Sequence, residues 1–358
     1  MKILITGAEG FLGRHLQLLL HSRGVDFTAV DRSQWGSLRE LPQFDTVIHL
    51  AGVNRGSEAE VEAGNLELAH DLANGLGAHP PRQVIYANSI HSGSDTPYGR
   101  GKQAAASFLK DWVENTAGSF CDVRLPNLFG EDGRPFYNSF VATFVEHAVQ
   151  GSQPTIADAE VPLLHVQDAA QAIFDVVGTT TAQLCPEGEP HRVGEVWERL
   201  VAMHEDYARG VIPPLDSKFE VNLFNTLRAR MFRDRPAIAL TPHRDERGEF
   251  VETTKVVRGQ SQVSFSTTKP GITRGQHYHL RKIERFVVIA GEGKIRLRHL
   301  LDDQVVEVIA TGEEPVAVDM PTGWVHSITN TGTNTLLTQF WINEFFDPSD
   351  ADTFAAEV

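Results

Sequence analysis

Lys2-Ile3-Leu4-Ile5-Thr6-Gly7-Ala8-Glu9-Gly10-Phe11-Leu12-Gly13, near the start of the chain, decides the first fold. Its opening apolar run is strand-sized and bounded by glycine, which predicts a short buried strand. From Leu12 onward apolar residues recur at Leu16, Leu19 and Leu20, the spacing of one helix face, and Gly24 is placed to stop that helix. Between strand and helix lie Gly7, Gly10 and Gly13 in a G-x-x-G-x-x-G pattern. The first glycine permits a tight turn, the second lets a pyrophosphate approach the backbone, and the third lets the helix pack on the strand. The helix N-terminus then offers free N–H groups and partial positive charge to a phosphate. The order of strand, glycines and helix predicts a bound dinucleotide.

Further strand-like runs follow: DFTAV (26–30), DTVIHLAG (45–52), QVIYANS (83–89) and CDVRLPN (121–127), each separated from the next by helical or turn-rich sequence. This alternation predicts an α/β, doubly wound parallel sheet. The second strand ends in Asp31-Arg32. An acid there hydrogen-bonds the ribose hydroxyls of NAD, whereas an arginine clamps the 2′-phosphate of NADP, so both cofactors stay open. After about residue 240 the texture changes. FVETTKVV, SQVSFSTT, RFVVIAG, KIRLRHL, QVVEVIA and LLTQFWI alternate β-branched or aromatic residues with polar ones between Gly, Asn, Asp and Pro. That is the pattern of an antiparallel barrel or sandwich. The expected division is therefore 1–240 and 241–358, with helix and linker over about 209–240.

The formal net charge is −15, from 47 acids against 32 bases, which makes nucleic acid and anionic membrane poor partners. Two cysteines, Cys121 and Cys185, supply neither a disulfide framework nor a cysteine zinc cluster. The apolar runs are too short to insert in a membrane, and the N-terminus lacks a signal-peptide pattern, so a cytoplasmic protein is expected.

Tyr98-Gly99-Arg100-Gly101-Lys102 is Y-x-x-x-K, and positions four apart share a helix face. An ammonium beside a phenol lowers its pKa, so the tyrosine can exchange a proton with an alcohol or ketone; Ser89 can hydrogen-bond the same oxygen. Two glycines inside the motif weaken the helix. Farther on, Gly271 to His279 followed by Glu284 and Gly291 gives G-x5-H-x-H-x4-E-x6-G, and Pro321 to His326 with Asn330 gives P-x-G-x2-H-x3-N. On a strand, His277 and His279 share a face. With Glu284 and His326 they form a three-nitrogen, one-oxygen set suited to a divalent metal. Zinc is the choice where nothing demands redox chemistry; manganese, nickel and iron fit the same ligands.

Together with HLAG (49–52), Asn65 and RLPNLFG (124–130), the first half resembles the extended short-chain dehydrogenase/reductases, a Rossmann-type family. The resemblance implies a Ser89–Tyr98–Lys102 triad, a nicotinamide cofactor contacted by Gly7, Gly10, Phe11, Leu12, Gly13, Asp31, Arg32, Leu50, Ala51, Gly52 and Asn65, and nucleotide-sugar substrates. The two histidine motifs resemble those of the cupins, an all-β barrel, over residues 243–358. DERGEFVE (245–252), Gln262, Ser264, KPG (269–271) and RGQHY (274–278) also resemble the 4-keto-6-deoxysugar nucleotide 3,5-epimerases, where the residue at His277 is a base. His277 is thus open to two roles, ligand or base, and Tyr278, His243 and Lys255 are candidates for the opposing acid. The order of the two halves, with HLAGVNR (49–55), PYG (97–99), PNLFG (126–130) and FDPSDADTFAAEV (346–358), resembles the CapF-type family of bifunctional capsule-biosynthesis enzymes. That likeness implies C3 epimerisation of a UDP-2-acetamido-2,6-dideoxy-4-hexulose in the cupin. The C4 ketone is then reduced with NADPH to the L-talose sugar, on the route to UDP-N-acetyl-L-fucosamine. It also implies substrate contacts at Asn54, Arg55, Asn127 and Arg274, and a homodimer or homotetramer through the cupin. The competing expectation keeps the reductase and makes the cupin a binding or oligomerisation module.

Overall fold

The computed structural model describes residues 1–246 and 248–358; Arg247 and the side-chain surroundings of Arg32, Gly248 and Glu249 lie outside the described residues. The cofactor expectation for Arg32 and part of the DERGEFVE motif fall there. Packing divides the chain into two compact units, residues 1–129 with 159–192, and residues 130–158 with 193–358.

The first unit contains β1 (Ile3–Thr6), α1 (Phe11–Ser22), β2 (Phe27–Val30), β3 (Thr46–His49), α2 (Glu58–Leu76), β4 (Gln83–Ser89), α3 (Pro97–Glu114), β5 (Ser119–Leu125) and β6 (Asn127–Phe129). After the segment that joins the second unit come β7 (Glu160–His165), α5 (Val166–Asp175), β8 (Gln183–Leu184) and β9 (Glu189–Arg192). A six-stranded parallel sheet runs β2-β1-β3-β4-β5-β8, and β6-β7-β9 form a smaller one. The strands read as unbroken apolar runs because both faces are buried. Ile3, Ile5, Ile48, Ile85 and Val123 pack with α1 and α5 through Leu16, Leu20 and Ile173. Leu4, Val47, Val84 and Tyr86 pack with α2 and α3 through Leu72, Ala105 and Leu109.

The glycines flanking Arg100 do not break α3. The helix starts at a Thr96 cap with Pro97 in its first turn, and runs through both. A Cβ at Gly101 would lie 2.5 Å from the Glu62 carbonyl oxygen of α2, so helix propensity is surrendered for close packing. Gly101→Ala is expected to destabilise the protein by about 1–3 kcal/mol, read as a lower urea midpoint at unchanged slope.

The second unit contains α4 (Phe140–Gln150), α6 (Val193–Ala208), β10 (Val211–Ile212), α7 (Lys218–Asp234), β11 (Ile238–Ala239), β12 (Pro242–Asp245), β13 (Gly248–Val251), β14 (Lys255–Val256), β15 (Gln262–Thr268), β16 (Thr273–Tyr278) and β17 (Glu284–Ala290). It ends with β18 (Glu292–His299), β19 (Val305–Thr311), β20 (Val316–Met320), β21 (Trp324–Asn330), β22 (Leu336–Ile342) and β23 (Phe354–Ala355). Two antiparallel five-stranded sheets, β11-β20-β17-β22-β15 and β19-β18-β21-β16-β23, enclose Phe286, Val288, Ile295, Leu297, Val318, Met320 and Ile328 in a cupin-like barrel.

The helices before residue 240 are fastened to this barrel. Phe232 of α7 enters its apolar cluster, and the buried Arg228 donates to the Met320 and Lys282 carbonyls at 2.6 and 3.3 Å. The Tyr207 hydroxyl donates to Asp319 at 2.7 Å, and Asp319 is paired with the buried Arg285 at 2.7 Å. The sequence boundary at 240 marks the change of local texture, whereas packing groups 130–158 and 193–240 with the strands. Among the described residues no helix is long and apolar enough to cross a membrane.

Candidate functional site

The glycine turn has the geometry its pattern predicts. Gly7 adopts φ +70°, and a Cβ there would lie 2.6 Å from the Ala51 nitrogen. A Cβ at Gly13 would lie 2.4 Å from the Gly7 carbonyl oxygen, so the helix could not sit this close to the turn. Gly10 caps α1 without a side chain, and the first helical residues, Phe11 and Leu12, present their N–H groups to an external acceptor. Leu50, after β3, donates its N–H to the Thr6 carbonyl at 3.1 Å and leads the Leu50–Gly52 segment past the turn. The buried Asn65 is an organiser of the following residues. Its Oδ1 accepts from Val53 N at 3.2 Å, and its Nδ2 donates to the Val53 and Val61 carbonyls at 2.8 and 3.1 Å. Asp31 caps a short 3-10 helix, accepting from Ser33 N at 2.7 Å, Ser33 Oγ at 2.6 Å and Gln34 N at 3.3 Å. The Ser33 bonds hold its carboxyl below the usual range. The signal for that cap, Asp31 three residues before Gln34, was present in the sequence.

Burial raises the Tyr98 phenol pKa, and the Ser89 hydroxyl beside it opposes that rise. Lys102, one helical turn after Tyr98, makes its direct contacts with β4. Its Nζ donates to the Ala87 carbonyl at 2.6 Å and lies 4.2 Å from the Tyr86 ring centroid. Burial lowers Lys102 to about 7, opposed by the Asp122 carboxylate. His49, Tyr86 and Asp122 are successive register partners across β3, β4 and β5. Asn88 Nδ2 donates to Asp122 at 2.7 Å, and Asn88 Oδ1 accepts from Ser89 N at 2.9 Å, so a buried polar chain runs from Asp122 through Asn88 to the Ser89 main chain. Asp122 is also paired with Arg124 at 2.8 Å. His49 hydrogen-bonds Thr6 at 2.7 Å, and burial, then the Lys102 charge, push it down to about 3. Sequence reasoning passed over Tyr86, Asn88 and Asp122; their signal was polar residues placed in otherwise apolar strands.

Asn54 and Arg55 are exposed after β3, and Asn127 is half-buried on β6. Arg274 lies exposed on β16 in the second unit, donating to the Thr267 carbonyl at 3.2 Å.

The four residues of the histidine motifs come together inside the barrel. Gln276, at φ +63°, breaks the register of β16 between Gly275 and His277 and sets His277 opposite His326 of β21. Glu284 opens β17. Its Oε2 lies 3.0 Å from His279 Nε2, 3.2 Å from His326 Nε2 and 3.9 Å from His277 Nε2. All four donor atoms fall within 4.8 Å of one another. The His326 and His279 side chains are 0% and 2% exposed, whereas His277 is 23% exposed. His326 Nδ1–H donates to the Trp324 carbonyl at 3.1 Å, which turns the Nε2 lone pair toward Glu284. Three imidazoles and a carboxylate at this separation fit a divalent transition metal. Without one, protons must relieve the convergence: burial alone would raise Glu284, but the His279 and His326 rings beside it hold it well below the carboxylate range. Burial, then His326 and His279, push His277 down to about 4.

Of the candidates for an opposing acid, Tyr278 is buried and packs on Phe354 with ring centroids 5.3 Å apart, and burial raises it to about 12. Lys255 is paired with Glu252 at 2.6 Å, and His243 stands against Phe250 across the β12–β13 hairpin.

Residues 3–184 match the model of the NAD dependent epimerase/dehydratase family, and residues 243–354 that of the polysaccharide biosynthesis C-terminal domain. The chain is 35% identical to the UDP-2-acetamido-2,6-beta-L-arabino-hexul-4-ose reductase of Pseudomonas aeruginosa, over 100% of this chain and 99% of that protein. It is similar to the crystal structure of the capsular polysaccharide assembling protein CapF of Staphylococcus aureus, with TM-score 0.61, 31% identity and full coverage of both chains. A likeness in fold alone extends to UDP-N-acetylglucosamine 4-epimerase of Bacillus cereus, at TM-score 0.51 and 19% identity over 57% of this chain and 82% of that one.

Proposed function

Because this chain belongs to the CapF-type family, in which an NAD dependent epimerase/dehydratase domain precedes a polysaccharide biosynthesis C-terminal domain, we propose that it is a bifunctional sugar-nucleotide enzyme. The barrel epimerises C3 of a UDP-2-acetamido-2,6-dideoxy-4-hexulose. The nucleotide-binding part then reduces the C4 ketone with NADPH to the UDP-L-talose sugar, on the route to UDP-N-acetyl-L-fucosamine. The observation that carries this proposal is the full-length match to a 4-ketohexose reductase in a chain that holds both the Ser89–Tyr98 pair and the histidine–glutamate cluster.

In the reduction, Tyr98 Oη gives its proton to the C4 oxygen while Ser89 Oγ hydrogen-bonds the same atom. The buried Lys102 ammonium stabilises the phenolate left behind, and Asp122 favours that ammonium. A bound nicotinamide supplies the hydride. The choice of NADPH is supported by Asp31, whose carboxylate is already engaged as a helix cap. In the epimerisation, His279, Glu284 and His326 would hold a divalent ion, taken as zinc. His277, the most exposed of the four, takes the C3 proton, and a proton returned to the opposite face completes the inversion. The bound metal supplies positive charge that stabilises negative charge developing on the C4 oxygen. The C4 ketone acidifies the C3 proton, so inversion precedes reduction. Exposed Val263 and Phe265 on the edge strand β15 support association of copies through the barrel. A cytoplasmic location follows from a substrate of this class.

Proton NMR of the keto-sugar in heavy water tests both steps, first without cofactor and then with NADPH. Deuterium enters at C3 in the first stage and the ketone disappears in the second. No exchange at C3 leaves only the reductase and makes the barrel a binding or association module. The electrostatics of Lys102 add a pH prediction. With its pKa near 7, the ammonium is lost as pH rises, so kcat/KM for reduction falls on the alkaline side. Asp122 raises that pKa, and Asp122→Asn therefore moves the fall to lower pH. A profile identical to wild type would separate Asp122 from Lys102.

A further inference from the structure

The C-terminal stretch FDPSDADTFAAEV (346–358) has no part in the chemistry derived so far, yet it is built onto the histidine–glutamate cluster. Strand β23 pairs with β16, setting Ala355 against His277 and Phe354 against Tyr278. Ahead of it stands Asp352, 7% exposed and held at φ +42°, a conformation unfavourable for a residue with a Cβ. Its carboxylate accepts three successive main-chain N–H groups, from Leu280 and Arg281 at 3.0 Å each and from Lys282 at 2.8 Å. These residues form the connection between His279 and Glu284. The Asp352 carbonyl oxygen lies 2.5 Å from His279 Nδ1. Lys282 Nζ donates to the Ala351 carbonyl at 2.6 Å, and Arg281 donates to Asp350 Oδ1 at 3.1 Å, so the segment is anchored ahead of Asp352 as well as by β23 behind it.

A carbonyl can only accept, so the Nδ1 of His279 carries a proton. In the neutral ring the Nε2 lone pair then faces Glu284 Oε2 at 3.0 Å. Two electron-rich atoms at that distance are stable only with a cation or a proton between them. We propose that Asp352 is a positioning residue of this cluster. Its carbonyl sets the His279 tautomer so that Nε2 is the ligating atom, and its carboxylate fixes the turn that spaces His279 from Glu284. The mechanism is that of an outer partner that orients a ligand and raises its basicity. The affinity part of this inference rests on the metal reading above; the tautomer part does not.

The test uses the full-length chain in two measurements. Zinc affinity is taken by competition with a chromophoric chelator, and the His279 tautomer by nitrogen-15 NMR of the metal-free protein. Wild type is expected to bind one equivalent of zinc, with His279 protonated on Nδ1. Asp352→Ala keeps the main-chain carbonyl but removes the carboxylate that places it, so it should weaken zinc by about 10–100-fold and disturb the tautomer, while Asp352→Asn, which keeps one acceptor, should do less. A folded Asp352→Ala protein with wild-type zinc affinity and tautomer overturns the proposal. If the alanine variant does not melt cooperatively, Asp352→Asn is read instead, and wild-type values for both quantities again overturn it. If wild type binds no zinc, the metal reading fails, and the tautomer shift alone decides the role of Asp352.

Discussion

Tyr98→Phe is expected to slow reduction of the 4-keto sugar by about 10²–10⁴-fold, the usual value of a positioned general acid. The substitution keeps the ring in its half-buried place and removes only the phenolic oxygen near Ser89. Hydride can then reach C4 only if water protonates the oxygen. Lys102 stays where it is, since its ammonium is held by the Ala87 carbonyl and the Tyr86 face and not by Tyr98. The cofactor turn is untouched, so NADPH binding should be retained. Exchange at C3 should continue at the wild-type rate, because its residues belong to the other unit. Stopped-flow loss of NADPH absorbance and NMR of the sugar measure the two effects separately. Reduction at the wild-type rate in this variant would remove Tyr98 as the proton donor.

The second large effect is expected at the barrel. Stripping the metal with a chelator, or replacing His326 with alanine, should reduce deuterium entry at C3 by about 10²–10³-fold or more, the scale of losing charge stabilisation at a developing oxyanion. His326 is fully buried, 3.2 Å from Glu284. Its removal takes away one nitrogen ligand and leaves a carboxylate that burial disfavours. Reduction of a substrate already inverted at C3 should persist, because Tyr98 and Ser89 do not depend on this cluster. Added zinc should restore exchange to the stripped wild type and not to His326→Ala. Unchanged exchange after both treatments would give the barrel another role.

The connection between the barrel and the helices before it bears on how these activities can be separated. A cut at 243 looks natural from the texture of the chain. In the structure it would strip Arg228 of the Met320 and Lys282 carbonyls and Tyr207 of Asp319, and uncover Phe232. Buried charge left without partners is costly, so such a truncation would test stability before it tested function. Point substitutions at Tyr98 and His326 avoid that confusion.

Much of this protein was legible one residue at a time. Gly7 and Gly13 announce a close approach of backbone to backbone, because a Cβ at either would lie 2.4–2.6 Å from main-chain atoms. The alternation of apolar runs and helix-period segments declares a parallel sheet, and the histidine spacing declares a cluster. These are local signals, carried by spacing along the chain. Tertiary structure decided what depends on residues far apart in sequence. It set the Lys102 ammonium on the Ala87 carbonyl beside the Tyr86 ring, joined Asp122 through Asn88 to Ser89, tied Arg228 to the barrel, and brought Asp352 onto His279. Each is a buried polar group that must find a partner once water is excluded, and the partner is whichever group the packing presents.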